Sequence, residues 1–335
     1  MVAGPGVGSD HMPALNASNI RVISRDNGVG LSRDLHLIAS VLRDAGAAVE
    51  TVGFGGAQLG NRARELGLWA RRIARGRIDT QLFVERVYQR CLPLARHNLL
   101  MPNPEWFLPK WTPTLSRFER VLCKTRHAEA IFAALGCQTV FTGFTSEDRL
   151  DPAVPRERAF FHLAGRSTAK GTETVLATWR RHPEWPRLTV VQHPKLARPG
   201  PPAANIDHCV EYLDDMRLRR LQNAHRFHLC PSEAEGFGHY LVEALGIGAV
   251  VLATDAAPMN ELVTPQRGVL IPYARSRREG LVEHALVDEA GIEQAVSQAL
   301  AMDDQECDRI GARAREFFVQ NDRAFRMRLA AACLQ

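Results

Sequence analysis

The sequence predicts an α/β protein built from two doubly wound parallel-sheet domains in tandem. Three observations carry this expectation. The chain has 335 residues, too many for one comfortable core and suited to two domains of about 150. Residues 19–54 read as strand, glycine-containing loop, helix and strand, the opening of a parallel sheet. The same alternation restarts near Ala159, after a polar stretch that contains Pro152 and Pro155.

The elements follow in order. Residues 1–18 lack the basic start and apolar core of a signal peptide and read as a flexible leader. Asn19–Ser24 is a β-rich run. In Leu31–Ala45 the residues Leu35, Ile38, Val41 and Leu42 fall at helical spacing, and Gly46 ends the helix before a strand at Ala48–Phe54. Arg62–Leu94 reads as mostly helical and strongly basic. His97–Met101 reads as a strand stopped by a Pro-rich loop, Leu115–Leu122 and His127–Leu135 as a strand and helix, and Thr139–Phe144 as the last strand of a first domain, 19–150. In the second, 151–315, strands at Ala159–Ala164, Leu188–Gln192, Asp207–Leu213, His225–Cys230, Ala249–Thr254 and Gly268–Ile271 alternate with helices at Thr172–Arg181, Met216–Ala224, Tyr240–Leu245 and a turn at Pro258–Leu262. Helices at Glu289–Met302 and Asp304–Phe318 follow, and residues 316–335 form a closing helix. A cleft between the two halves is the expected ligand site.

Composition narrows the classes. With 45% hydrophobic and 24% charged residues the chain is neither collagen-like, coiled-coil nor wholly disordered. Seven cysteines, without a C-x-x-C pair, argue against a disulfide scaffold or zinc cluster and for a reducing, cytoplasmic compartment. The net charge of +5 is local: Arg62–Arg96 holds nine arginines against Glu65, Asp79 and Glu85. Aromatic residues do not interleave with this stretch, so nucleic acid is not an expected partner. Only Lys110, Lys124, Lys170 and Lys195 are lysines, which makes a lysine in a loop motif stand out.

Four segments carry chemistry. In Cys230–Glu243, CPSEAEGFGHYLVE, Glu235 sits at a strand-to-helix turn, with Gly236, Phe237 and Gly238 at the helix start. Unpaired amides there attract phosphate, whereas an acid before the turn suits sugar hydroxyls. Glu243 lies roughly 12 Å further along the helix, a spacing that suits a ribose. On spacing alone, a surface loop with a solvated helix glutamate is an equal reading. After the strand ending at Ala164, Arg166 and Lys170 can clamp a diphosphate or be two solvated side chains. Gly28-Val29-Gly30 lets backbone approach a ligand, but Arg33 breaks the G-x-G-x-x-G fingerprint and disfavours a nicotinamide enzyme. In the loop NLLMPNPEW, Asn103 and Glu105 either face the cleft or shape a Pro-rich turn. Asp214-Asp215 lacks D-x-D spacing and is explained by helix capping, so no metal is expected.

The run from Pro231 to Val263 resembles the donor-site signature of retaining GT-B glycosyltransferases, specifically glycosyltransferase family 4. Pro231, Ser232, Glu235, Gly236, Phe237, Gly238, Glu243, Ala244, Val251, Ala253, Thr254, Asp255, Glu261, Leu262 and Val263 match its pattern. The segment GRSTAKG resembles the family's G-R-x-x-x-x-K-G stretch with one residue fewer between Arg166 and Lys170, and Gly28–Gly30 resembles the glycine loop after the first strand. The resemblance implies a GT-B fold of two Rossmann-like domains facing across a cleft, an N-terminal acceptor domain, a C-terminal nucleotide-sugar domain, and a closing helix that crosses back. It implies retaining transfer of a hexose from a UDP- or GDP-sugar to a glycan, lipid-linked or other anionic acceptor, with neither cofactor nor metal. Arg166 and Lys170 would meet the leaving diphosphate, Glu235 the sugar and Glu243 the ribose. His193, Gly236, Phe237, Gly238, His239, Tyr240 and the Gly28–Gly30 loop complete the expected donor contacts. Asn103 or Glu105 would replace the first-domain histidine that touches the transferred sugar in many members. A GT-B-fold sugar-nucleotide epimerase and a catalytically silent sugar-nucleotide-binding protein are the alternatives. The Arg62–Arg96 stretch points to an anionic acceptor or to peripheral binding at an anionic membrane leaflet; a solvated helix face in an arginine-rich chain is an equal reading.

Overall fold

The computed structural model describes residues 18–25, 30–56, 58–198 and 200–334; the leader to Ser18, except Ser18 itself, and Gly28 and Val29 lie outside them. The first half comprises β1 (Asn19–Arg25), α1 (Gly30–Asp44), β2 (Ala48–Phe54), α2 (Gln58–Arg75), β3 (Ile78–Val84), β4 (Ala95–Met101), β5 (Arg120–Cys123), α3 (Arg126–Ala134) and β6 (Thr139–Phe141). All paired strands are parallel, in the order β2-β1-β3-β4-β5-β6. The second half comprises β7 (Glu157–Gly165), α4 (Thr172–Arg181), β8 (Leu188–Gln192), β9 (Ile206–Cys209), α5 (Asp215–Ala224), β10 (His225–Cys230), α6 (His239–Gly246), β11 (Val250–Thr254), α7 (Met259–Leu262) and β12 (Gly268–Ile271). Its parallel sheet runs β12-β11-β10-β7-β8-β9. An antiparallel hairpin, β13 (Arg275–Glu279) with β14 (Val282–Leu286), then α8 (Glu289–Ala301) and α9 (Asp304–Leu334), complete the chain. This is the expected pair of Rossmann-like α/β units.

Strand order fixes where a ligand can sit. In each sheet the winding reverses once, between β1 and β3 in the first and between β7 and β10 in the second. Loops leaving the carboxyl ends of such neighbours diverge to opposite faces and open a crevice. The loops after β7 and β10 carry Arg166–Lys170 and Glu235–Gly238.

Several sequence expectations are corrected. Arg62–Leu94 is not mostly helical: α2 stops at Arg75, Gly76 takes a left-handed φ of +83°, and β3 enters the sheet beside β1 and β4. Leu115 belongs to a 3-10 segment, Pro109–Arg117, whose turns the fixed φ of Pro109 and Pro113 favours, and the strand starts only at Arg120. The strand expected at Asp207–Leu213 ends at Cys209. The hairpin β13–β14 was not anticipated, since its first strand, RSRRE, is exposed throughout and shows no apolar alternation. The two closing segments are one uninterrupted helix, α9, of 31 residues. Gly311 on α9 lies so close to Gly248 that a Cβ there would stand 2.4 Å from the Gly248 carbonyl oxygen. From that contact α9 continues to bury Phe325, Leu329 and Cys333 in a core shared with Ile20, Leu82 and Leu122 of the first sheet. Phe144 sits at the junction, its ring centroid 4.9 Å from that of Phe325 and 5.2 Å from that of Phe237. Asp214 caps α5 as expected, its Oδ1 accepting from the Arg217 amide at 2.8 Å.

Candidate active site

The site lies where the carboxyl ends of the two sheets meet. On the second-domain side, Gly171 and Gly238 both adopt left-handed φ (+64° and +92°) at the N-termini of α4 and α6. A Cβ on Gly171 would lie 2.8 Å from the Pro231 carbonyl, so only glycine lets the β7 loop pack against the β10 loop. The Glu233 amide donates to the Ala169 carbonyl at 2.9 Å and ties the loops together. This packing brings Lys170 to Glu235: its ammonium pairs with Glu235 Oε1 and lies 3.4 Å from the Tyr240 ring centroid. Ser232 Oγ donates to the same Glu235 oxygen at 2.6 Å and also meets the Tyr240 hydroxyl. Burial pushes the Tyr240 phenol well up, so it stays a neutral partner. Lys170 and Glu235 retain 14% and 15% exposure, enough to be reached from the cleft.

The first domain closes on this arrangement. Gly236 packs directly on Asn103 and Glu105: a Cβ there would be 2.5 Å from Glu105 Oε1 and 2.7 Å from Asn103 Cγ. Asn103 Oδ1 and Glu105 Oε2 are buried without a hydrogen-bond partner, so each has an acceptor left over for a group in the cleft. Burial above all, helped by the negative charges of Glu235 and Glu85, pushes the Glu105 carboxyl up to about 7 against the opposing pull of its backbone contact and Lys124.

That shift has a measurable consequence. Between the unfolded value of 4.5 and about 7 the folded protein keeps the Glu105 proton that the unfolded chain has lost, so its stabilising contribution is complete below 4.5 and disappears as pH rises through 7. Glu105→Gln should therefore match the parent protein at pH 4.5 and exceed it at pH 8 by up to about 3 kcal/mol, as read by denaturant titration at the two pH values.

Further features of the site were not legible beforehand. Asp34 near the start of α1 is buried between Lys124 Nζ at 2.8 Å and His239 Nε2 at 2.7 Å, and His239 Nδ1 lies 2.7 Å from Ser146 Oγ. Burial alone would raise the Asp34 carboxyl, but Lys124 and His239 outweigh it and hold it well below the ordinary carboxylate range. Glu261 of α7 accepts from the Arg126 and His127 amides, each at 2.7 Å, and so caps α3 from across the molecule. Glu85, just after β3, lies in the left-handed region (φ 66°), an uncommon conformation for a buried non-glycine residue at a switch point; burial is the main cause raising its carboxyl.

The remaining expected residues are placed as follows. Glu243 is buried rather than open: Arg33 Nη1 pairs with it at 2.7 Å and Gln222 donates at 2.9 Å. Arg166 is exposed and makes no hydrogen bond or ion pair among the described residues. His193 is half-buried at the end of β8; its backbone amide donates to Gly165, and its Nδ1 accepts from the Lys195 amide at 3.2 Å. A cavity of about 380 Å³ opens beside these loops, lined by Ser167, Thr172, Gln192, Lys195 and Arg198. Phe237 is core, and His239 faces Asp34 rather than this cavity. Gly30 begins α1; Gly28 and Val29 fall outside the described residues.

No family model matches the sequence, and no curated protein matches it. Solved structures do match in fold. Sucrose-phosphate synthase from Thermosynechococcus elongatus superposes with a TM-score of 0.73 at 14% identity, over 94% of this chain and 98% of that one. A glycosyltransferase from Rickettsia africae gives 0.72 at 12% identity, over 95% and 98%. HepE from Anabaena, in complex with UDP and glucose, gives 0.66 at 14%, over 93% and 98%. The fold is that of the GT-B glycosyltransferases: two parallel-sheet Rossmann-like domains facing across a cleft.

Proposed function

We propose that the protein is a retaining GT-B glycosyltransferase of the family 4 type, moving a hexose from a nucleotide diphosphate sugar to a glycan, lipid-linked or other anionic acceptor. The observation that carries this reading is the Lys170–Glu235 pair at the second domain's switch point, faced by the half-buried Asn103 and Glu105 of the first domain. The domain from residue 151 to 315 would take the donor, the domain from 19 to 150 the acceptor, and residues 316–335 would join them. UDP is the first base to test, because HepE is described with UDP and glucose bound.

The chemistry follows from the charges. The anomeric carbon's bond to the diphosphate oxygen breaks, and a bond to the acceptor oxygen forms on the same face. The acceptor proton passes to the departing phosphate oxygen, so no protein nucleophile is required. Negative charge grows on the diphosphate, and Lys170, Arg166 and the amides at the start of α6 would neutralise it. Donor phosphates would draw the Lys170 ammonium from Glu235 and release that carboxylate to sugar hydroxyls. Ribose binding by Glu243 requires Arg33 to give up its ion pair, so donor binding and the α1 contact are coupled. With cationic side chains in this role, transfer should be independent of metal.

Incubation with a panel of UDP-, GDP- and dTDP-sugars, with NMR of the anomeric product, tests the reading. One donor should give a product with retained configuration, at a rate unchanged by EDTA. Release of a free epimerised sugar, or binding without turnover on any acceptor, would replace it.

A further inference from the structure

The β13–β14 hairpin cannot hold its shape by itself. β13, RSRRE, is exposed along its whole length, and two strands alone are marginal in water. Its order therefore rests on what β14 touches. Val282, His284 and Leu286 alternate on one face of β14 and are buried or half-buried, so that face is turned on the protein. At the base, the Ala285 amide donates to the Glu233 carbonyl at 2.8 Å, and His284 Nδ1 lies 3.3 Å from Glu233 Oε2. At the tip, Gly280 takes a left-handed φ of +59° in the two-residue turn Gly280-Leu281. Leu281 is half-buried there, packed against the core cluster of the first domain that contains Phe54, Phe83 and Trp111.

These contacts set one residue, Glu233, between three segments. Its amide donates to Ala169 in the Lys170 loop, its carbonyl accepts from β14, and Glu235 stands two positions further on. The hairpin thus runs from the loop that carries Glu235 to the core of the first domain, which supplies Asn103 and Glu105. Between Cys230 and His239 the chain forms neither strand nor helix, so its geometry depends on such outside contacts. α9 joins the two domains through their cores, whereas the hairpin ties the Glu235 loop itself. A misplacement of about 1 Å at reacting groups costs about 10²-fold in rate, so a tie at this point has catalytic weight.

We propose that β13–β14 is a strap that positions the Glu235 loop against the first domain, with Leu281 and His284 as its positioning residues. Its effect on rate rests on the glycosyl-transfer reading; its effect on hydrogen exchange does not. Leu281→Asp sets a charge against the apolar contact at the tip. In hydrogen-exchange mass spectrometry of the full-length variant, residues 231–238 and 275–286 should exchange about ten-fold faster or more, with the rest of both domains unchanged. With the productive nucleotide sugar, kcat should fall about ten-fold or more while the donor KM moves less than about two-fold. Leu281→Met, which keeps an apolar tip, should restore both. His284→Ala should speed exchange at 231–238, and His284→Gln, which can still donate to Glu233, should reverse that gain. Unchanged exchange in Leu281→Asp, exchange raised evenly through both domains, or faster local exchange with parental kcat would each overturn the proposal. If the parent protein turns over no nucleotide sugar, the transfer reading fails, and exchange at residues 231–238 alone decides the strap.

Discussion

Lys170→Ala should reduce kcat/KM with the productive nucleotide sugar by about 10²–10³-fold while leaving the fold intact. Among the described residues the ammonium is the one cation that pairs with Glu235, and it is held over the Tyr240 ring in a setting 14% exposed to water. A charge so placed stabilises developing negative charge more than it would in bulk solvent, because its position is fixed before the reaction begins. The loss should appear mainly in kcat if the ammonium acts on the departing diphosphate, and mainly in KM if it only binds the donor. Stability should change little. Glu235 keeps its hydrogen bond from Ser232 and can rehydrate through the cleft. Lys170→Arg, which keeps the charge but spreads it over a planar fork, should recover part of the rate. A Lys170→Ala protein with parental turnover would remove Lys170 from the mechanism.

Much of this architecture was readable because local signals were strong. The boundaries of β2, α4, β8, β10 and β12 agree with the sequence expectation, since apolar runs there end abruptly at glycine, proline or charge. Lys170 and Glu235 each stand out in the sequence by loop position, and their ion pair emerges only where the two loops pack together. β3 was hidden because Arg75-Gly76-Arg77 looked like more of a basic helix, although Gly76 was its stop. The helix that became α9 was divided at Phe318, a residue that continues the core rather than ending the turn. What no spacing could reveal is long-range pairing, within the first domain and across the cleft. Asp34 and Lys124 are 90 positions apart, and Asp34 and His239 are 205 apart. Each looks like an ordinary charged or polar residue until the two sheets meet. The exposure of Leu59, Leu66 and Ile73 on α2 was missed for a related reason: helical periodicity shows that a helix has an apolar face, and only the fold shows which way it points.

Lys124→Met should destabilise the protein by about 3–5 kcal/mol, because it strands a carboxylate that has almost no access to water. The Lys124 and Asp34 side chains are 1% and 5% exposed, with 2.8 Å between Nζ and Oδ2. The ammonium also lies 4.3 Å from the Phe144 ring centroid, in the aromatic junction between the domains. Removing the lysine leaves Asp34 with His239 alone, and takes away the charge that does most to offset the carboxylate's burial. The pH dependence separates this from simple loss of packing. Asp34 titrates below its unfolded value of 3.8 in the folded protein, so its contribution is present above that value and is lost as pH falls through the folded one. The penalty of Lys124→Met should therefore be largest near neutral pH and shrink as acid protonates the orphaned carboxyl. Asp34→Asn/Lys124→Met, which removes both charges and keeps a polar group facing His239, should recover most of the lost stability. Denaturant titrations of the parent, both single variants and the double variant give the coupling energy directly. Strictly additive single effects would mean that the two groups do not pair, and the contact that aims His239 at the first domain would then need another explanation.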